Sequence, residues 1–220
     1  MSPQHPNRPK ARTALATATL AALLAGLITP VAAASAAPAA EPASITDFTE
    51  KVNPFVSTED DFGQDLPGAQ APNSIIKINP MTTPGRAHSG YDYAETKIAG
   101  FTHTNLDGVG GSGGGGDLLV VPTYTQYTSR PSTDSYAKAY SHDAEEATPG
   151  YYSVDLTTSN GPIVAEATTD VRTGKDRFTF PKAGPASLVV DLRNNFTSRN
   201  GATLDVTVDP RHPSSVQIVW

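Results

Sequence analysis

The chain has no cysteine, one tryptophan and two methionines in 220 residues. Without thiols it forms no disulfide, builds no thiolate metal centre and runs no cysteine chemistry, so its stability needs a large enough buried core or a larger assembly. Positive charge is also short: 16 Lys and Arg stand against 22 Asp and Glu, a net charge of −6. An acidic chain argues against nucleic acid and anionic membranes as partners, and the balance grows more negative once the basic first residues are set aside. Helical periodicity is nearly absent beyond the N-terminal segment. The one long apolar run, Ala14–Ile28, is about fifteen residues, short of the roughly 20 that span a bilayer.

That run has a different reading. Arg8, Lys10 and Arg12 precede it, and Pro30 and the small residues Ala34-Ser35-Ala36 follow. This is the layout of a secretory signal over residues 1–36, with cleavage after Ala36 and a secreted product. Pro38–Ser44 is Ala- and Pro-rich and too poor in large apolar residues to pack, so residues 37–49 read as a tether and 50–220 as the folded domain.

Within that domain short apolar segments recur: Ser74–Ile78, Asp117–Val121, Tyr151–Leu156, Ile163–Thr169, Arg177–Phe180, Ala186–Leu192, Thr203–Val208 and Val216–Trp220. Several alternate apolar with polar, the signature of strands with one wet face. Turn chemistry separates them, as at Ser159-Asn160-Gly161-Pro162 and Arg172-Thr173-Gly174-Lys175. The expected fold is all-β, an antiparallel β-sandwich. The sequence still reads as strand at Trp220, which predicts a sandwich incomplete at its C-terminus, with Trp220 as a packing residue.

Gly90–Pro122 is the stretch richest in chemistry. Tyr91, Asp92, Tyr93, His103, Asn105 and Asp107 precede a run of glycines and an apolar strand. Its two readings are a surface loop and a site where a polar ligand meets backbone free of Cβ atoms. On an extended backbone His103, Asn105 and Asp107 point the same way, and an imidazole, an amide and a carboxylate together suit the vicinal hydroxyls of a sugar. The competing reading of Asn105-Leu106-Asp107-Gly108 is an Asx turn. The run Gly108–Gly116 lacks the Gly-Lys-Ser/Thr ending and the following helix of a nucleotide loop, which leaves only a backbone anion nest beginning at Gly108. Tyr91 and Tyr93 share a face if extended, to stack on a pyranose ring or to pack in the core, with at least one in the core. Asp143, Glu145 and Glu146 read as a solvated surface group.

Two ordered blocks carry a family resemblance. The first runs Val52-Asn53-Pro54-Phe55-Val56-Ser57-Thr58, Leu66-Pro67-Gly68-Ala69, Asn79-Pro80-Met81, and Gly90-Tyr91 into Gly100-Phe101-Thr102-His103-Thr104-Asn105-Leu106. The second runs Tyr140-Ser141-His142-Asp143, Pro149-Gly150-Tyr151-Tyr152-Ser153-Val154, Ala165-Glu166-Ala167-Thr168-Thr169 and Arg177-Phe178-Thr179-Phe180-Pro181. In order and spacing this resembles the N-terminal β-sandwich of the glycoside hydrolase family 92 α-mannosidases, over roughly residues 50–220.

The resemblance implies an inverting, calcium-dependent hydrolase acting on mannose-containing glycans. Its active site is expected between the sandwich and a C-terminal (α/α) barrel of the same polypeptide, which carries the catalytic carboxylates and the Ca2+ ligands. The residues shown are then expected to be inactive alone and to supply substrate-binding wall. Phe62-Gly63-Gln64-Asp65-Leu66-Pro67-Gly68 lines up with a family segment near the cleft, which makes Gln64 and Asp65 candidates for sugar contact beside Tyr91, His103, Asn105, Asp107 and Gly108. The acidic group Glu59, Asp60, Asp61 and Asp65 does not have the spacing of a calcium loop. Where many members have Ser-His-Thr-His and Leu-Ser-Gly, this chain has Thr102-His103-Thr104-Asn105 and Leu106-Asp107-Gly108. With Asn79–Arg86, these departures resemble an actinobacterial-type subgroup, some of whose members cleave mannosyl phosphodiesters. A non-catalytic carbohydrate-binding sandwich is the other class the sequence leaves open.

Overall fold

The computed structural model describes residues 47–59, 65–82, 89–106, 115–193, 201–212 and 216–219. The expected signal, most of the tether, Asp60, Asp61, Gln64, Arg86, Asp107, Gly108 and Trp220 lie outside the described residues. The strands run β1 (Ala69–Gln70), β2 (Lys77–Met81), β3 (Lys97–Ile98), β4 (Gly100–Thr102), β5 (Thr104–Asn105), β6 (Gly115–Asp117), β7 (Leu119–Thr123), β8 (Lys138–Ala139), β9 (Glu145–Thr148), β10 (Tyr151–Leu156), β11 (Ile163–Thr169), β12 (Gly174–Thr179), β13 (Ser187–Asp191), β14 (Asp205–Val208) and β15 (Val216–Val219). Helix among these residues is limited to the turn Thr133–Tyr136 and two short 3-10 segments.

Two antiparallel sheets face each other: five strands in the order β1-β2-β4-β7-β13, and four in the order β12-β11-β10-β9. Strict alternation puts Tyr152, Val154 and Leu156 of β10 and Ile163, Ala165 and Ala167 of β11 on the inner face. They meet Ala69, Ile78 and Phe101 from the opposite sheet, and Phe178 and Phe180 close the side. Large and small side chains oppose each other in register, Tyr152 beside Ala167 and Val154 beside Ala165. Each fully buried Val, Leu or Ile contributes about 1.5–3 kcal/mol relative to exposure. The other face of the five-stranded sheet carries a second core, in which Met81, Leu119 and Val121 pack with Tyr136. All-β architecture in antiparallel sheets, as expected, is what the chain adopts.

The differences lie at strand boundaries. The sequence segment runs Ser74–Ile78, whereas β2 starts at Lys77 and continues through Pro80 to Met81. Its far end is held by Ala99 N donating to Met81 O at 2.7 Å and Thr82 N to Gly90 O at 2.8 Å. β12 begins at Gly174 rather than Arg177, because its register with β11 runs from Thr169–Gly174 to Val164–Thr179.

Between β5 and β6 the register slips: Thr104 pairs with Asp117, but Asn105 with Gly115. The extra residue is a bulge, and Gly115 adopts φ of 82° to make it. A Cβ there would sit 1.8 Å from the Thr104 carbonyl oxygen. Gly115→Ala is therefore expected to destabilise the domain by about 2 kcal/mol or more, read from urea unfolding.

Candidate functional site

His103 sits in the bend between β4 and β5, where the chain leaves one sheet and turns toward the other. Its Nδ1 lies 2.9 Å from the Leu118 carbonyl oxygen and its Nε2 2.6 Å from Asp176 Oδ2 on β12. Both partners accept, and a doubly protonated ring donates to both. Burial works to lower the imidazole pKa, but the hydrogen bond and charge of Asp176, with the Leu118 carbonyl, outweigh it and the net shift is upward. Leu118 supplies its carbonyl from a left-handed backbone, φ 54°, a conformation that costs a non-glycine residue about 1–2 kcal/mol. His103 thus ties β5, the β6–β7 junction and β12 together.

Asn105 does not share its direction. Thr102 Oγ1 donates to Asn105 Oδ1 at 3.0 Å, and Asn105 Nδ2 donates to Lys77 O at 3.0 Å and Thr102 O at 3.3 Å. Side chains three apart meet only if the backbone bends between them, so the extended face expected for His103 and Asn105 is broken at His103. At 2% exposure, Asn105 is an internal brace.

Tyr91, expected at a sugar-binding surface, is fully buried. A turn over Asp92–Glu95 is closed by Glu95 N donating to Asp92 O at 3.1 Å, and the Tyr91 and Tyr93 rings both lie against Phe55, with centroids 6.4 and 5.6 Å away. The Tyr91 hydroxyl bridges both oxygens of Glu145 at 3.0 Å. Tyr152 donates to Glu145 Oε1 at 2.5 Å, and His142 Nδ1 lies 2.6 Å from Oε2. This corrects the surface reading of Glu145, whose side chain is 1% exposed. The signal was in the pairing: Glu145 opposes Val154 across β9 and β10, so it occupies a core-facing position. Burial first, then the Glu145 charge, pushes the Tyr91 and Tyr152 phenols up, so both remain donors. Tyr93 stays half-open to solvent and stacks on the His142 ring, centroids 3.8 Å apart at 9°.

Asp65 is exposed and lies in an open cleft of about 580 Å3. Asn53, Gln70, Ser74 and Lys77 add polar groups to its walls, and Val52, Pro54 and Pro149 add apolar ones. Ser74 Oγ is buried with no hydrogen-bond partner among the described residues. Sequence reasoning passed over Ser74 as the start of a strand. The structure therefore separates the candidates: Asp65 lines a cleft, His103 bridges sheets, and Tyr91 and Asn105 are interior. Gln64, Asp107 and Gly108 lie outside the described residues. Among the described residues no three carboxylates or imidazoles converge as a metal site.

Comparison with known proteins gives a consistent picture. The sequence model described as the glycosyl hydrolase family 92 N-terminal domain matches residues 51–217. Among solved structures, the family GH92 glycosyl hydrolase CcMan5 is 54% identical with a TM-score of 0.71, over 74% of this chain and 23% of that one. The family GH92 α-mannosidase BT3965 from Bacteroides thetaiotaomicron is 37% identical with a TM-score of 0.60, over 67% of this chain and 20% of that one. The inverting mannosidase BT2199 from Bacteroides thetaiotaomicron VPI-5482 is 24% identical with a TM-score of 0.54, a likeness of fold. No match was found among curated proteins. The chain spans less than a quarter of the length of the solved chains it matches.

Two predictions follow from the buried groups. Glu145→Leu strands two buried phenols and the partly exposed His142 ring and is expected to cost about 3 kcal/mol or more in urea unfolding, with Glu145→Gln costing less because it keeps an acceptor. For His103, a pKa raised by folding adds stability that is complete below the unfolded value of about 6.5 and is lost as pH rises through the folded value. The stability gap between wild type and His103→Gln is expected to be largest near pH 6 and to narrow toward about pH 9, measured by unfolding at each pH.

Proposed function

The chain belongs to glycosyl hydrolase family 92, whose N-terminal domain it supplies, and from that premise we propose that it is part of a secreted, exo-acting α-mannosidase that hydrolyses α-mannosidic linkages with inversion. The observation that carries the reading is the family match over residues 51–217, supported by 37% identity to a solved α-mannosidase. Inversion needs two carboxyl groups about 6.5–9.5 Å apart with a water between them. The best-placed carboxylates of this chain are already engaged: Glu145 by two tyrosines and a histidine, Asp176 by His103, Glu166 by Arg177, and Asp191 by Tyr136. On this reading the acid and base come from a C-terminal (α/α) barrel, and the sandwich supplies part of the substrate wall.

The cleft at Asp65 is the part of that wall the geometry supports best. The Asp65 carboxylate, the amides of Asn53, Gln70 and Asn73 and the Thr148 hydroxyl, among prolines and valines, can take sugar hydroxyls on one side and the apolar face of a pyranose on the other. Gln64, the sequence neighbour of Asp65, stays a candidate for sugar contact on the family resemblance alone. Ca2+, implied by the family resemblance, would be held by ligands of the partner domain on that same resemblance, and no step here depends on it. The actinobacterial-type subgroup, and with it a mannosyl phosphodiester as substrate, rests on Thr102–Gly108 and Asn79–Arg86. The engaged carboxylates also favour a second reading, a carbohydrate-binding sandwich without chemistry.

The test uses the native polypeptide purified from culture medium, with an aryl α-mannoside followed by proton NMR. The expected first product is β-mannose, from a polypeptide several-fold heavier than residues 37–220. Asp65→Ala is expected to lower kcat/KM by about 10- to 100-fold, the loss of one hydrogen bond to a charged group. Turnover by residues 37–220 alone overturns the need for a barrel, and a native mass equal to the short chain overturns the enzyme reading.

A further inference from the structure

The wall of the Asp65 cleft continues onto the outer face of the four-stranded sheet. Thr148 and Pro149 line that cleft, and Thr148 is also the first member of a cross-strand row. It opposes Tyr151 of β10, Tyr151 opposes Thr168 of β11, and Thr168 opposes Lys175 of β12. Alternation sends Tyr152 and Ala167 into the core, so Tyr151 and Thr168 beside them face outward with Thr148 and Lys175. At a strand spacing of about 4.8 Å, the row covers roughly 14 Å from the cleft to the outer strand.

The side chains along this row are fixed, not free. Tyr151 sits opposite Thr168, yet its hydroxyl donates to Glu166 Oε1 at 3.0 Å, one step further along the same face of β11. Its ring therefore leans across the sheet instead of standing off it. Arg177 donates to both oxygens of the same carboxylate. Tyr151, Glu166 and Arg177 are thus locked together across three strands. A guanidinium has five N–H donors and Glu166 takes two, while the Arg177 side chain stays 68% exposed. With Thr168 and Lys175 these three residues enclose a shallow depression of about 160 Å3. A side chain that only meets water keeps its rotamer freedom, whereas a ring and donors already held in place spend little entropy on a ligand.

We propose that the row from Thr148 to Lys175 carries the glycan chain that extends from the sugar in the Asp65 cleft. Tyr151 is the platform for the apolar face of one ring, and Arg177 and Lys175 donate to its hydroxyls. Glu166 neutralises Arg177 and offers a further acceptor, so hydrogen bonding outweighs net charge and the ligand is a neutral oligosaccharide. The inference rests on reading the cleft as a sugar site, and it adds a preference for extended mannose chains over small aglycones.

The experiment compares wild type and variants of the full native polypeptide on soluble α-mannan and on an aryl α-mannoside, with retardation in native gels containing the same mannan. Tyr151→Ala is expected to lower the ratio of the two kcat/KM values, mannan over aryl mannoside, by about 10-fold and to weaken retardation similarly. Tyr151→Phe keeps the ring and is expected to keep most of both. Lys175→Ala, an exposed position, is expected to lower both by about 3-fold, the loss of one hydrogen bond. Thr179→Ala, on the same face but two pairs away from Thr168, is expected to change neither. An unchanged ratio in Tyr151→Ala overturns the inference, as does wild-type migration unaffected by mannan. Retardation that vanishes at about 0.5 M salt and survives Tyr151→Ala also overturns it, in favour of adsorption by charge. The cleft is judged separately, by Asp65→Ala on the aryl mannoside. A wild-type polypeptide that is retarded but hydrolyses no mannoside defeats the enzyme reading alone, and the gels then decide this inference.

Discussion

A buried carboxylate organises this domain. Glu145 sits at the start of an outer strand, yet its side chain enters the core and collects hydrogen bonds from Tyr91, Tyr152 and His142. An isolated ionised group in such a place would cost several kcal/mol, so its three partners are obligatory. They come from three separate stretches of chain: the segment after β2, the start of β10, and the short turn before β9. Satisfying Glu145 therefore fixes how the N-terminal turn meets the four-stranded sheet. The Tyr93–His142 stack follows, because His142 is held by Glu145 on one side and by the Tyr93 carbonyl, 2.8 Å from its Nε2, on the other.

His103 plays the corresponding part at the opposite side of the sandwich. It spans the sheets with an ion pair to Asp176, where most other inter-sheet contacts are apolar. Apolar contacts tolerate sliding, whereas a short, two-ended polar bridge fixes one geometry. The cleft at Asp65 lies outside both networks. Its polar groups come from the loops at Asn53, Asp65 and Asn73 and from Gln70 on β1 and Lys77 on β2, and Ser74 Oγ has no partner among the described residues.

Much of the fold was legible in the sequence because period-2 alternation is a local signal. Tyr151–Leu156 and Ile163–Thr169 read from the sequence with their observed bounds. The short strands β3, β5 and β8 were not readable, since two residues carry no period. Site residues fared differently because a side chain's fate depends on partners distant in sequence. Tyr91 and Glu145 are 54 positions apart, and neither reveals the other until β9 has paired with β10. Asn105 misled for a local reason: the alternation argument assumes an extended backbone, and the bend at His103 removes it. The family resemblance carried what periodicity could not, the order of motifs from Val52 to Pro181.

The bulge at Gly115 and the left-handed Leu118 have an evolutionary consequence. Together they let the chain enter β7 with its phase already set, Leu119 and Val121 facing the second core. The neck that does this is closed by His103 N donating to Asp117 O at 3.1 Å and by the Asn105–Gly115 pair. Residues inserted or deleted between Asn105 and Gly115 therefore need not shift the register of any sheet. Doubling such a connection costs only about 0.6 kcal/mol in closure entropy. The segment can lengthen, shorten and change composition across descendants of this sequence while the sandwich beneath it stays the same.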